Sequence, residues 1–163
     1  MTDDVARRVS LRAAREDDLP TLFEIQLDDT AQHQAAFTDA TARDRDAYLE
    51  KFRRILADDT IVAKVVEIEG DVVGSVAVFP IEGDTEVTYW IRKDWWGRGV
   101  ATAALAALLA DVTERPLHAR VVQDNLGSVR VLERNGFVRV GSEESFAPAR
   151  GATVTELVLV LSD

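Results

Sequence analysis

The chain has 163 residues, of which 47% are hydrophobic, and its 19 basic and 29 acidic side chains give a formal net charge of -10. This size and composition fit one compact domain, while the negative charge disfavours nonspecific binding to nucleic acid or to an anionic membrane. The chain has no cysteine. That absence excludes disulfides, a cysteine nucleophile and thiolate metal sites, so we expect no metal centre.

The first residues and the longest apolar run predict where the protein works. The acidic start, Met1–Asp4, lacks an apolar signal core, and the apolar run over 100–110 is too short to span a bilayer. We therefore expect a cytoplasmic protein. Its charge favours cationic partners, and the sequence leaves open whether it is a monomer or a homodimer.

The first third of the sequence predicts one strand and two helices. The strand is expected over 9–12, and a helix from about Asp17 to Leu27, because carboxylates and a proline occupy its first turn. A polar connector is predicted over 28–43. A second helix follows, because residues 41 and 44 have the spacing of a capping box and precede apolar residues at helical intervals: Tyr48, Phe52, Ile55 and Leu56.

The middle of the sequence predicts an antiparallel meander. Two valine-rich strands, 61–68 and 72–79, flank the turn signal Glu69-Gly70-Asp71 and therefore form a hairpin. A third strand over about 85–91 extends the meander, since its second half is rich in β-branched and aromatic residues.

A loop with two glycines, Trp95–Thr102, joins this third strand to an apolar helix. Gly97 and Gly99 allow a sharp turn and a close approach to a ligand, and the first amides of the helix have no internal partners. A helix start of this kind can hold an anion such as a phosphate. Nearby positive charge would support that role: Arg92, Lys93 and Arg98.

The last third predicts one more helix between strands. A strand is expected over 117–122, a helix over 125–134 that stops at Asn135-Gly136, and final strands over 138–146 and 154–161. The whole order predicts a mixed α/β (α+β) fold. Its central sheet is mostly antiparallel, with six to seven strands and about four flanking helices.

Two motifs in this order resemble those of the GNAT superfamily of acetyl-CoA-dependent N-acetyltransferases. Trp96–Ala101 is similar to the family's pyrophosphate loop, Q/R-x-x-G-x-G/A, although tryptophan stands at its first position. Asn125–Phe137 is similar to the segment N-x-x-S followed by G-F in the subgroup of ribosomal-protein N-terminal acetyltransferases. The resemblance covers nearly the whole chain and implies a single acetyltransferase domain over 1–163 with a GNAT-like fold.

The resemblance also implies which residues hold acetyl-CoA. The strand ending at Ile91 would offer backbone amides to the thioester and pantetheine, and the loop amides would take the pyrophosphate. Asn125 either contacts the cofactor arm or only caps its helix. The implied cofactor-binding residues are Trp90, Ile91, Arg92, Gly97, Arg98, Gly99, Val100, Ala101, Thr102, Asn125 and Ser128.

Acyl transfer to an amine needs a base for the amine proton and a donor for the departing thiolate. Glu86 is the first candidate base, because it shares a strand face with Thr88 and Trp90; a merely solvent-facing glutamate is the alternative. Related enzymes often use a tyrosine seven residues after the asparagine, where this chain has Leu132. The resemblance therefore favours Ser128 as the donor, unless its hydroxyl only bonds to the backbone.

The sequence predicts different roles for the two histidines. His118, in or beside a strand, is expected to be a packing residue rather than a catalyst. His33 falls in the connector over 28–43 and is either a base or a surface residue. Tyr89 and Trp90 are expected to pack, and Trp90 is a candidate wall for the acyl group.

The function predicted from these motifs is transfer of an acetyl group to a primary amine, either a peptide N-terminus or a small molecule. The net charge favours a cationic acceptor, as do four acidic residues that either surround the substrate entrance or form a solvated surface: Asp28, Asp29, Glu143 and Glu144. The missing tyrosine leaves one alternative, a non-catalytic module of the same fold that binds or senses acyl-CoA. A nucleotide-binding loop is disfavoured, because the Gly-Lys-Ser/Thr ending is absent.

Overall fold

The structure is a computed structural model that describes residues 2–35 and 40–163. In those residues the helices are α1 (Thr2–Arg8), α2 (Leu19–Gln26), α3 (Asp29–Ala35), α4 (Arg45–Leu56), α5 (Val100–Asp111) and α6 (Leu126–Arg134). The strands are β1 (Val9–Ala13), β2 (Val62–Ile68), β3 (Asp71–Ile81), β4 (Asp84–Ile91), β5 (Leu117–Val122), β6 (Val138–Ala147) and β7 (Ala152–Leu161). Across the described residues, no helix has both the length and the hydropathy that a bilayer crossing requires.

The seven strands form one sheet in the order β1-β2-β3-β4-β5-β7-β6. Every neighbouring pair is antiparallel except β4 and β5, which are parallel. The predicted mixed, mostly antiparallel α/β sheet of six to seven strands is therefore confirmed. The chain must cross the sheet between β4 and β5, and α5 lies in that crossover.

The described residues contain more helices than the roughly four predicted. Residues 28–43 were predicted to be a connector, yet α3 and a 3₁₀ turn at Ala40–Arg43 lie there, while 36–39 fall outside the described residues. Asp28 Oδ1 accepts a hydrogen bond from the Ala31 amide at 2.9 Å, and Ala31 and Gln32 are buried. A side-chain cap and tertiary burial thus stabilise a polar helix that has no apolar stripe.

α1 was also not predicted; among those of its side chains that the structure describes, Val5 alone joins the main core. For α4 the N-cap is Asp44, whose Oδ1 accepts a hydrogen bond from the Ala47 amide at 3.1 Å.

Apolar side chains cover both faces of the sheet. On one face α2 and α4 enclose a cluster that includes Leu19, Phe23 and Tyr48. On the other face α5 and α6 enclose the larger cluster, which includes Leu105 and Leu132. The two helices that follow β4 and β5 are therefore fixed rigidly to the sheet by buried side chains.

β4 and β5 pair only near their first residues. The one paired position within the described residues is Glu86 opposite His118, after which the strands separate toward Ile91 and Val122. We call the wedge between residues 87–91 and 119–122 the fork. The N-termini of both α5 and α6 follow the carboxyl ends of these strands, so the fork opens toward two helix starts.

Gly74 on β3 helps to shape the far end of the fork. It lies opposite Ile91, and a Cβ at this position would collide with the Trp90 carbonyl oxygen. Only glycine therefore allows β4 to approach β3 this closely where β4 ends.

Candidate active site

A cavity of about 1100 Å³ occupies the fork. β4 and β5 form its walls, the loop over 95–102 and α6 form one end, and Ala31, Gln34 and Ala35 of α3 contribute to its lining. Arg150 holds α3 in place, because its Nε donates to the His33 carbonyl at 2.9 Å while its other nitrogens pair with Asp124 at 2.6 and 2.9 Å.

The loop at one end of the cavity has the geometry of an anion site. Gly97 and Gly99 have φ values of 71° and 83°, which favour glycine, and Gly99 is the N-cap of α5. The first helical bond runs from the Ala103 amide to the Gly99 carbonyl at 3.0 Å. The amides of residues 100–102 thus have no partner within the helix and are available to an anion.

Two side chains brace this loop. Trp96 Nε1 donates to the Ile91 carbonyl at 2.7 Å, which fixes the loop to the end of β4. Asn135 Nδ2 donates to the Thr102 carbonyl at 3.2 Å, which fixes the first turn of α5 to the end of α6. Asn135, predicted only as a helix stop, thus also positions the candidate anion site.

Two arginines of α6 supply positive charge to the cavity, and the sequence interpretation missed both. Arg130 and Arg134 line the cavity, and neither forms an ion pair with any residue in the described part of the chain. They lie four residues apart and therefore share one helix face. Their spacing could be seen in the sequence, but it indicates an anion-binding role only when α6 is known to lie beside the loop.

The three basic residues that were predicted to support the anion site lie outside the cavity lining. Arg92 Nε pairs with Asp94 at 2.6 Å, and Lys93 Nζ lies 3.3 Å from Thr30 Oγ1. The Arg98 guanidinium stacks over the Trp95 ring at 4.1 Å. None of these three side chains lines the cavity.

Glu86 lies at the opposite end of β4 from the loop, in a cluster around Arg120. The Glu86 residue is 8% exposed, and its Oε1 lies 3.7 Å from Arg120 Nε. Arg120 Nη1 also contacts Glu143 at 2.7 Å and Glu156 at 3.7 Å. Burial raises the pKa of Glu86 above its ordinary range, while Arg120 and His118 act in the opposite direction.

Glu156 is a second carboxylate of this cluster that the sequence interpretation did not single out. Its side chain is 13% exposed, it lines the cavity from β7, and burial raises the pKa of Glu156 as well. β7 is the last strand in the sequence but the neighbour of β5 in the sheet. No local pattern places Glu156 beside Glu86.

Ser128 and Asn125 line the cavity from the start of α6. Asn125 Oδ1 accepts a hydrogen bond from the Ser128 amide at 3.3 Å, so Asn125 caps α6 while also facing the cavity. Tyr89 Oη lies 2.5 Å from Ser128 Oγ. Leu132 is 1% exposed and belongs to the apolar core.

A family model described as an acetyltransferase (GNAT) domain matches residues 8–138. The chain belongs to the GNAT acetyltransferase family. No curated protein sequence matches it significantly.

Several solved acetyltransferase structures share the GNAT fold of this chain. RimJ of Mycobacterium smegmatis in complex with CoA-disulfide has a TM-score of 0.77 and 24% identity, with 94% of this chain and 81% of that chain covered. RimL, a ribosomal L7/L12 alpha-N-protein acetyltransferase in complex with coenzyme A, has a TM-score of 0.78 and 19% identity, with 94% of each chain covered. A chimera of Vibrio cholerae spermidine N-acetyltransferase SpeG and hSSAT has a TM-score of 0.75 and 20% identity, with 94% of this chain and 95% of that chain covered.

The histidines of this GNAT domain lie outside the cavity lining. His118 Nε2 is 3.9 Å from Asp84 Oδ1, and its buried Nδ1 has no hydrogen-bond partner in the described part of the chain. His33 is exposed on α3. Neither histidine is therefore placed to contact a group inside the cavity directly.

Three of the four acidic residues expected near the substrate entrance of the GNAT domain are paired. Asp28 lies 3.8 Å from Lys93 Nζ, Asp29 lies 2.8 Å from Arg43, and Glu143 binds Arg120. Glu144 is exposed. Within the cavity itself, negative charge comes from a different set of residues: Glu82, Asp84, Glu86, Asp124 and Glu156.

Proposed function

We propose that this GNAT domain transfers an acetyl group from acetyl-CoA to a cationic primary amine by direct attack. The observation that carries the proposal is the opposite charge of the two ends of the cavity. The loop amides and α6, which carries Arg130 and Arg134, lie at one end, and Glu86 and Glu156 lie toward the other, on either side of the single cation Arg120. From Glu86 to Ile91 the strand spans about 16 Å, so a long cofactor could extend between the two ends.

The residues at the positive end fit the diphosphate of coenzyme A. Unpaired helix amides and mobile guanidinium groups are the usual ligands of phosphate. The proposed contacts are those predicted from the sequence, with Arg130 and Arg134 added. Arg92 and Arg98 would first have to leave Asp94 and Trp95 before their guanidinium groups reached a phosphate.

Glu86 is the proposed base for the amine proton. An alkylamine is mostly protonated near pH 7, and a carboxylate with a raised pKa accepts its proton more readily than an ordinary one. The raised pKa of Glu86 is caused mainly by burial. Ser128 is the proposed donor to the departing sulfur, because its hydroxyl lines the same cavity.

The acceptor is proposed to be a peptide N-terminus or a polyamine-like small molecule. The solved relatives include an alpha-N-protein acetyltransferase and a spermidine N-acetyltransferase, whose acceptors are both cationic amines at neutral pH. The carboxylates of the cavity would attract such a cation before it loses its proton.

We further propose that residues 1–163 act as one acetyltransferase domain. A cytoplasmic location of this domain remains a prediction.

Calorimetry and turnover together test the proposal. Acetyl-CoA should bind the wild-type protein, and thiol release should follow when polyamines, amino acids and short peptides are added in turn. Binding without turnover of any amine would favour the non-catalytic acyl-CoA module, and no binding at all would contradict both functions.

Gly99→Glu tests the location of the cofactor site. A carboxylate at the start of α5 would repel a diphosphate, so acetyl-CoA affinity should fall by at least about 100-fold. Gly70→Glu is the matched control, because Gly70 also has a positive φ, 87°, but lies in the β2–β3 turn. Equal affinity in the wild type and the Gly99 variant would move the site away from this loop.

A further inference from the structure

Two hydroxyl groups meet on the wall of the fork. Tyr89 Oη, from β4, lies 2.5 Å from Ser128 Oγ and 3.2 Å from the Ser128 carbonyl oxygen, at the start of α6. Both residues line the cavity and both are half-buried. The contact therefore joins the strand and the helix that flank the candidate thioester position.

The tyrosine has one hydrogen and two acceptors within reach. When Tyr89 donates to the Ser128 carbonyl, Ser128 must direct its own hydrogen to Tyr89 Oη. When Tyr89 donates to Ser128 Oγ, the serine hydrogen is released toward the cavity. Negative charge beside Ser128 favours the second arrangement, because a bond to an anion is stronger and a chain of hydrogen bonds polarises its members.

We infer that Tyr89 is a positioning residue that turns the Ser128 hydroxyl into a donor for the departing sulfur. The inference rests on the proposed function. As the amine nitrogen bonds to the thioester carbon, the carbon–sulfur bond breaks and its electron pair stays on sulfur. The ammonium proton leaves through Glu86 to solvent before attack, the second nitrogen proton passes to Glu86 as the amide forms, and the sulfur accepts the Ser128 hydrogen bond while Tyr89 keeps its proton.

The surroundings of Tyr89 favour a donor that does not ionise. Burial raises the pKa of Tyr89 to about 12, partly offset by its bond to Ser128. The hydroxyl therefore retains its hydrogen at neutral pH. Leu132, where related enzymes often have a tyrosine, is enclosed in the core and offers no hydrogen-bonding group.

Tyr89→Phe is the first test, because it keeps the ring and removes only the hydroxyl. We expect kcat to fall about 10-fold, an effect of the size that one hydrogen bond can have, with the KM for acetyl-CoA changed less than about 2-fold. Tyr48→Phe is the matched control: the chain has two tyrosines, and the other is buried on α4 in the opposite core. Its kcat should equal that of the wild type.

Two further measurements separate positioning from a merely structural role. If Tyr89 acts through Ser128, the variant Y89F/S128A should lose no more kcat than S128A alone, whereas independent roles would multiply the losses. The thiolate absorbance of bound coenzyme A, titrated with pH, should give a higher thiol pKa in Y89F than in the wild type. This titration needs only coenzyme A binding and no turnover.

These experiments distinguish a failure of the Tyr89 inference from a failure of the proposed acetyl transfer. A Y89F protein with wild-type kcat, multiplicative losses in the double variant, or an unchanged thiol pKa each overturns the inference and leaves acetyl transfer intact. Absence of turnover in the wild-type protein overturns the proposed function itself.

If Y89F does not fold, fluorotyrosine can replace tyrosine in the Y48F protein. Because the chain has two tyrosines, the analogue then stands at position 89 alone. Because fluorine strengthens the hydroxyl as a donor, the thiol pKa should then fall, and no change would overturn the inference.

Discussion

At the scale of single residues, Glu86 shows how burial and a neighbouring cation act on one carboxylate. Its enclosure favours the neutral acid, and Arg120, with its Nε 3.7 Å from Oε1, favours the charged form. Burial is the larger effect, so the pKa of Glu86 is raised. Glu86 is the proposed base only while it is ionised, and its activity is therefore lost on the acidic side of that pKa.

Glu86→Gln should consequently lower kcat/KM more at high than at low pH, because at low pH Glu86 is already protonated and contributes nothing as a base. In the wild type kcat/KM should fall as pH decreases through the raised pKa of Glu86, and the variant should lack that acidic limb. The pH profile of kcat/KM from pH 5 to 9 measures the difference, with Glu156→Gln as the control carboxylate of the same cluster. A pH-independent loss in E86Q, or an acidic limb removed only in E156Q, would assign the base elsewhere.

Gly74 carries a prediction about stability. A methyl group there would strike the Trp90 carbonyl, so Gly74→Ala should destabilise the fold by about 1–3 kcal/mol and displace the end of β4. Gly141→Ala is the control, because nothing lies within 4 Å of its added Cβ; its effect should stay within about 0.5 kcal/mol. Urea unfolding of both variants checks this, and equal stabilities would contradict the close approach of β3 and β4.

At the scale of elements, α6 combines two tasks. Its N-terminal turn presents Asn125 and Ser128 to the cavity, its later turns present Arg130 and Arg134 to the same cavity, and Asn135 just beyond its end binds the first turn of α5. Buried Val129 and Leu132 hold the opposite face against the core. Under the proposed function, one amphipathic helix thus faces both the reacting end and the phosphate end of the cofactor.

Removing the α6 arginines should weaken cofactor binding without slowing chemistry. Arg130→Ala and Arg134→Ala should each raise the KM for acetyl-CoA about 5-fold, or about 1 kcal/mol, and leave kcat nearly unchanged. Arg54→Ala on α4, an exposed arginine paired with Glu50, is the control. Added salt should shrink the difference between variants and wild type. Unaltered KM values would show that these arginines do not contact the cofactor.

At the scale of the whole molecule, a net charge of -10 coexists with a positive end of the cavity. The overall field attracts cations, and under the proposed function the carboxylates lining the fork focus that attraction on the acceptor amine. An anionic cofactor would approach the same protein against this field, so the proposed site relies on short-range contacts with amides and arginines.

Salt should therefore lower kcat/KM for a cationic acceptor more than for an acceptor with no net charge. Between about 0.02 and 0.3 M NaCl, kcat/KM for a polyamine should fall by about 10-fold, because screening weakens its attraction to the protein. A zwitterionic amino acid, with no net charge, should change by less than about 2-fold. Steady-state kinetics over the salt series gives the comparison, and equal salt dependence for both acceptors would contradict electrostatic selection.

The features that sequence could predict are those encoded over short distances. Gly97 and Gly99 mark the helix start, and Asn125 with its capping bond to Ser128 marks the next one. The sequence pattern did not predict α3, because its stability comes from the Asp28 cap and from burial rather than from an apolar stripe. The approach of Tyr89 to Ser128, 39 residues away, and of Glu156 to Glu86 depends on sheet order, which no local pattern encodes.

The separation of β4 from β5 has a consequence for hydrogen exchange. Beyond the Glu86–His118 pair, the edges of these strands that face each other form no ladder with one another. A pantetheine arm with amide groups could complete that ladder, much as an added strand would. Exchange of the inward-facing amides over 87–91 and 119–122 should slow when coenzyme A binds, while those of the β6–β7 hairpin should keep their rates. Protection confined to the loop over 97–102 would show that the cofactor is held by its phosphates alone.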